Sequence, residues 1–189
     1  MTKLIHKQTL AVLCSIILFF NAPAVGQEAK LTNLVVSNTR DNLIIYCKTE
    51  GAFTEKMEKA IISGVPVSFS FFITLYEVKG LWPDKKVTEK KITHSIKYNN
   101  MTKEYTITRS LESGAPIVTK TFEKAQKLMS EINNFILIPL NRLKKGKQYQ
   151  IRSKAELIKM TLPFYLHYLF FFVSMWDFET EWHTIDFIY

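Results

Sequence analysis

The stretch VPVSFSFFITLYEV, residues 65–78, constrains the fold more than any other part of the chain. Val65, Val67, Phe69, Phe71, Ile73 and Leu75 recur at every second position, and Ser68, Ser70 and Thr74 fall in the alternate set. Side chains of an extended chain point alternately to its two sides, so period 2 puts the apolar set on one face and the hydroxyls on the other. β-Branched and aromatic residues suit such a pleated, half-buried surface. A strand of this length with an apolar face needs paired neighbours and a second layer to cover it.

The rest of the chain supplies both. LTNLVVSNTRDNLIIYCKT reads as two short strands, about Leu31–Ser37 and Asn42–Thr49, around the turn formers Asn38, Thr39, Arg40 and Asp41. FTEKMEKAIISG reads as a helix. Phe53, Met57, Ala60 and Ile61 share one face, Thr54 can cap its start and Gly64 can end it. KITHSIKYNNMTKEYTITRS reads as a hairpin turning at Asn99–Thr102, with Ile92, His94, Ile96 and Tyr98 on one side. TFEKAQKLMSEI reads as a second helix with Phe122, Ala125, Met129 and Ile132 on one side. NFILIPL and QYQIRSKAELIKM follow as strands around the basic turn NRLKKGK. At least seven strands and two inserted helices predict a mainly β protein, a β-rich α+β domain: an antiparallel β-sandwich or half-closed barrel with two short helices.

The first 26 residues read as a signal peptide and residues 27–189 as a single β-rich domain. Lys3 and Lys7 precede the apolar run Leu10–Phe20, and small residues around Ala22-Pro23-Ala24 follow it. Eleven helical residues cover about 16 Å, against a hydrocarbon core of about 30 Å. Cleavage is expected near residues 24–26, with an uncleaved anchor as the alternative, which places the chain in the periplasm or on a membrane surface. Cys47 is then the one remaining cysteine, so no internal disulfide is expected. The alternation of LIIYCKT makes Cys47 a small core residue.

The second dominant feature is an aromatic tail. From Met160 to Trp176 no side chain is charged, and residues 160–189 hold 11 of the 25 aromatics. As a helix, that uncharged run reaches about 26 Å, short of a bilayer, and Pro163, His167 and Ser174 interrupt it. Residues 162–175 fit either a short helix or a buried strand. Trp176, Phe178, Thr180 and Trp182 alternate with Asp177, Glu179, Glu181 and His183, which predicts a strand with one wet face. Ile185, Phe187 and Tyr189 take the opposite parity, which predicts a bulge or turn near His183-Thr184. At about 200 Å² per ring these aromatics carry about 2,000 Å². A soluble monomer exposes a patch of only about 300–600 Å², so most of the rings belong in the core, in a partner or in lipid.

Charge is uneven along the chain. The net charge is +8. Residues 27–78 carry 5 basic and 6 acidic groups, residues 79–159 carry 18 and 7, and residues 160–189 carry 4 acidic groups alone. In an exported protein a basic middle meets lipid head groups, acidic polymers or an acidic partner rather than nucleic acid.

Catalytic signals are sparse. His94, His167 and His183 lie too far apart for a compact zinc pattern, and Glu181 with His183 makes only a weak ligand pair. KKGK lacks a Gly-rich phosphate loop, and no Gly-x-Ser-x-Gly turn exists. No catalytic residue, metal or cofactor is assigned.

The hairpin NLVVSNTRDNLIIYCKTEG, the junction ISGVPVSFSFFITLYEVKGLWPD, then IKYNNMTKEYTI and the ending LPFYLHYLFFFVSMWDFETEWHTIDFIY together resemble a bacterial exported family catalogued as domain of unknown function 4390. Gly64-Val65-Pro66, Trp82 and the Trp176–Trp182 stretch carry the resemblance, which covers about residues 30–189. It implies a bacterial source and a place outside the inner membrane. It brings no assigned activity, cofactor or site residue, and so weighs against an enzyme. The expectation is therefore a non-enzymatic binding or accessory module of the cell envelope, with an envelope protein or a membrane surface as partner and no nucleic acid. Trp82, Phe164, Tyr168, Trp176 and Trp182 are the candidate binding residues. Two alternatives stand beside it: a small outer-membrane β-barrel, or an enzyme acting on envelope polymers. The oligomeric state is not legible.

Overall fold

The computed structural model describes residues 29–110, 115–158 and 179–189. In chain order it runs β1 (Lys30–Asn38), β2 (Asn42–Glu50), α1 (Glu55–Ile62), β3 (Val67–Glu77), β4 (Lys85–Asn99), β5 (Glu104–Arg109), β6 (Ile117–Thr119), α2 (Phe122–Ser130), β7 (Glu131–Pro139), a 3₁₀ turn at Leu140–Arg142, β8 (Gln148–Ile158) and β9 (His183–Ile188). These strands form two antiparallel sheets. One has three strands in the order β1-β2-β7, the other six in the order β6-β5-β4-β3-β8-β9. The six-stranded sheet is open, with β6 and β9 at its edges, so the described strands build a sandwich-like pair of sheets and not a closed barrel.

The alternation of β3 explains its central place. Val67, Phe69, Phe71, Ile73 and Leu75 are buried in one core that also takes Leu43, Ile45, Cys47 and Ile132 from the smaller sheet. Because β3 is paired on both edges, β4 and β8 extend the same inner face with Ile92, Ile96, Tyr149, Ile151 and Ala155. Ser68, Ser70 and Thr74 on the opposite face are also buried. Ser68 and Ser70 satisfy their hydroxyls across the ladder to β4, at 2.7 Å to Ser95 and 3.1 Å to Thr93.

The helices close the core. Thr54 caps α1 as expected, its hydroxyl accepting the Met57 amide at 3.3 Å. Met57, Ala60 and Ile61 face inward. Phe53 lies just ahead of the helix, and its ring sits 4.9 Å from Phe69 and 5.7 Å from Phe122. After α1 the chain reverses at Gly64, whose φ of +90° is the left-handed conformation that favours glycine. The second helix is shorter than its periodicity predicts. It ends at Ser130, and Glu131 and Ile132 already pair with Lys48 and Cys47 of β2. Ile132 keeps its place in the core, but a strand holds it there, because the ladder to β2 competes for its backbone. Three register shifts interrupt the small sheet, and Asn33 and Asn134 take positive φ at two of them.

The strand expected over Trp176–Trp182 is also corrected where it can be followed. Glu179 makes a single bridge to Glu156, residues 180–182 are irregular, and the continuous strand begins at His183. Thr180 explains the break. It is buried, its amide reaches the Ala155 carbonyl at 2.9 Å, and its hydroxyl accepts the Ala155 amide at 2.9 Å. A side chain thus takes a ladder position on β8. Past it, Ile185, Phe187 and Tyr189 turn toward the core together, with the Phe187 ring stacked 5.7 Å from Tyr149. Residues 1–28 and 159–178 fall outside the described residues, so the signal peptide and the choice between helix and strand for 162–175 do too. Among the described residues no helix is long and apolar enough to cross a membrane.

Candidate functional site

The register of β3 with its neighbours fixes a second face on the large sheet, turned away from the core. Phe72 pairs with Lys91 and Lys154, Thr74 with Glu89 and Arg152, and Tyr76 with Lys86 and Gln150. Since paired residues point the same way, two aromatic rings of β3 stand between long cations from both neighbouring strands. Lys91 Nζ lies 5.2 Å from the Phe72 ring centre and Lys154 Nζ lies 5.5 Å from it. The Arg152 guanidinium sits 4.5 Å over Tyr76. Lys154 also lies 5.1 Å from the ring of Trp182, so one ammonium joins Phe72 to Trp182. A cation over a ring face gains about 0.5–1 kcal/mol at an exposed site.

Carboxylates hold two of these cations in place. Lys154 bonds Glu179 and lies 3.6 Å from Glu156. The bond to Glu179 holds its ammonium pKa above the usual lysine value, with Glu156 adding. Arg152 bonds Asp84 at 3.1 Å and Gln150 at 2.5 Å. The result is an ordered platform of three rings and three cations.

The candidate residues do not all meet there. Trp182 is at the platform, half exposed, where the outer face reaches the open edge of the sandwich. It borders a cleft of about 210 Å³ with Ala29, Lys30, Leu31, Glu181 and His183. Trp82 stands apart, in the β3–β4 loop beyond Glu77, and is 79% exposed beside Leu81 at 97%. Phe164, Tyr168 and Trp176 lie outside the described residues. Sequence reasoning missed Phe72 and Tyr76. Their signal was present: they are the two aromatics in the hydroxyl-bearing half of the β3 alternation, where burial in the main core does not account for them. Lys91, Arg152 and Lys154 had no comparable local signal, since their roles come from pairing with β3.

Titratable groups elsewhere are structural. His94 is fully buried on the inner face of β4. Its Nδ1–H donates to the Met129 carbonyl at 3.0 Å, and its ring lies 5.3 Å from Phe71. Burial lowers its pKa to about 4, and Arg109 adds to the effect. Cys47 is buried, and desolvation pushes its thiol up to about 12. A thiolate is the reactive form, so Cys47 should not react with a thiol reagent in the folded protein and should react fully in denaturant. Labelling followed by mass spectrometry checks this, and rapid native labelling would contradict the packing. Glu181 and His183 are both exposed, and no group of three metal-ligating side chains forms among the described residues.

A family model described as a domain of unknown function, DUF4390, matches residues 26–186. The chain belongs to this family. The DUF4390 match spans both sheets and both helices, and so covers the cation–aromatic platform and the loop that carries Trp82. Neither the curated proteins nor the solved structures contain a match to it.

Proposed function

We propose that this DUF4390 protein is a non-enzymatic binding or accessory module, exported to the bacterial envelope and working in the periplasm or at a membrane surface. Its partner, an envelope protein, seats on the face built by Phe72, Tyr76 and Trp182. The observation that carries the proposal is the join of Trp182 to Phe72 through Lys154. Ion pairs and ring contacts already restrain Lys154 and Arg152, so a partner laid across them orders few additional rotamers. Half-exposed tryptophan and arginine are also the side chains that most often dominate protein interfaces. The basic start and apolar run of residues 1–20 support export.

The test is photo-crosslinking from exposed position 181, next to Trp182, in the producing cell, with position 101 as the control because Met101 is exposed at a distant hairpin turn. Trp182→Ala and Phe72→Ala are expected to lose the crosslinked partner. Trp182→Ala, at a half-exposed site, should change unfolding free energy by less than about 1 kcal/mol. Loss of stability without a separate loss of the partner would count against this reading.

A further inference from the structure

A different part of the surface collects the free positive charge. The antiparallel pairing of Glu77 with Tyr149, and of Tyr149 with Phe187, brings three chain segments to one end of the large sheet. These are the β3–β4 loop, the turn before β8 and the end of β9. Hydrogen bonds lock them together: Val78 N–H to the Gln148 carbonyl at 2.9 Å, Tyr189 N–H to the Lys147 carbonyl at 3.1 Å, and Gly146 N–H to the Tyr189 carbonyl. The β1–β2 turn reaches the same end, since the Leu140 amide bonds the Asp41 carbonyl at 2.8 Å.

These loops carry eight basic residues, Arg40, Lys79, Lys85, Lys86, Arg142, Lys144, Lys145 and Lys147, against two acidic ones, Asp41 and Asp84. All the basic residues except Lys79 are exposed. Lys79 pairs with Glu77 at 2.5 Å, Lys86 with Glu89 at 2.8 Å, and Asp84 is taken by Arg152. The other six cations form no ion pair among the described residues. The Glu77 carboxyl registers how the loops converge. It is held below the usual range by its bond from Lys79 first, with the charges of Lys144 and Lys85 adding. At the same end of the sheet stand three exposed apolar side chains, Leu81, Trp82 and Ile188, at 97%, 79% and 77%.

Exposed apolar tips at the same end as a cluster of unpaired lysines and arginines match the boundary of an anionic bilayer. The tips enter the acyl edge, tryptophan sits at the head-group level, and the ammonium groups meet the phosphates. A folded acidic protein would match the charge but would not require apolar side chains to project beyond the surface. We infer that the end formed by residues 79–86, 142–147 and Ile188 docks the protein onto an anionic phospholipid membrane, with Leu81 and Trp82 inserted at the interface. This end adjoins the cation–aromatic platform through Asp84, which bonds Arg152, and Lys86, which pairs with Tyr76, but Lys144, Lys145, Lys147 and Trp82 belong to neither contact, so failure of the inference leaves the platform's role intact.

The experiment is co-sedimentation of the full chain with two kinds of vesicle. One is phosphatidylethanolamine with about one phosphatidylglycerol in four, and the other is phosphatidylcholine alone. The N-terminal and C-terminal apolar stretches are common to all variants, so differences between variants report this end alone. Lys144→Glu/Lys145→Glu/Lys147→Glu is expected to weaken binding to the anionic vesicles by about a hundredfold, at about one kcal/mol per lysine. Binding of the parent protein should fall steeply with added salt. Brominated lipid should quench Trp82, and Trp82→Phe should abolish that part of the quenching. All the changed residues are exposed, and an unchanged melting temperature verifies each variant's fold. Binding that ignores the charge reversal overturns the inference. So does charge-dependent binding with Trp82 unquenched, which would make this end a seat for a soluble polyanion.

Discussion

As pH falls from about 6.5 to about 4, the protein is expected to lose about 3 kcal/mol of stability through His94 alone. The sign follows from where the proton binds. In the unfolded chain the imidazole takes a proton near 6.5. In the folded protein burial, with Arg109 nearby, delays protonation to about 4. Between those values the unfolded state holds more protons, so acid favours it. The contribution is complete above the unfolded pKa, drains through the window and levels off below about 4. The surroundings of the ring explain the resistance: Phe71 covers a face and Nε2 has no hydrogen-bond partner among the described residues, so an imidazolium would be poorly solvated, and the Met129 carbonyl, which accepts from Nδ1 and favours the charged form, only partly offsets this. Carboxylates also titrate in acid, so the measurement is a difference. Urea denaturation of the parent and of His94→Gln at both ends of the window should show a flatter pH dependence in the variant. Equal slopes would mean that His94 is not buried neutral. At neutral pH the variant should still be the weaker protein, because it disturbs the bond to Met129.

Phe69→Ala is expected to cost about 4 kcal/mol at neutral pH, within the range of roughly 3–5 kcal/mol for removing a buried ring. Phe69 is fully buried on the most heavily paired strand, and it packs on Phe53, which in turn touches Phe122. The cavity would open where both sheets and the segments around the two helices meet, among groups that cannot all collapse inward. A domain with about 5–15 kcal/mol in hand would sit near its unfolding threshold. Trp82→Ala, by contrast, should be silent in the same urea titration, because its ring is 79% exposed. A small effect at Phe69 would show that the core repacks more freely than two interlocked sheets allow.

Much of the architecture was legible because it rests on local rules. The β3 alternation, the Thr54 cap, the left-handed Gly64 and the apolar placement of Cys47 each depend on residues a few positions apart. The candidate platform was legible only in part. Trp182 stood out as part of the aromatic excess of the tail, and the excess of lysine after residue 78 was plain. Their meeting was not, because Lys154 reaches Trp182 across an interruption of the β8–β9 ladder that Thr180 creates. The end of α2 was hidden for a related reason. Its helical period runs through Ile132, and only the pairing of Glu131 and Ile132 with β2 converts that residue to a strand.

The sequence by itself determined the class of fold, the direction each strand faces and an uneven charge, since side-chain period and charge count are properties of neighbouring residues. Tertiary structure decided which strands pair and therefore which side chains meet. Glu77 and Lys144 are far apart in the chain, yet antiparallel pairing of β3 with β8 brings the charge of Lys144 to bear on Glu77. The same pairing makes Phe72 and Tyr76 partners of cations rather than core residues. Contact across a sheet depends on register, and register is set by the fit of the whole buried face, which no short window of sequence contains.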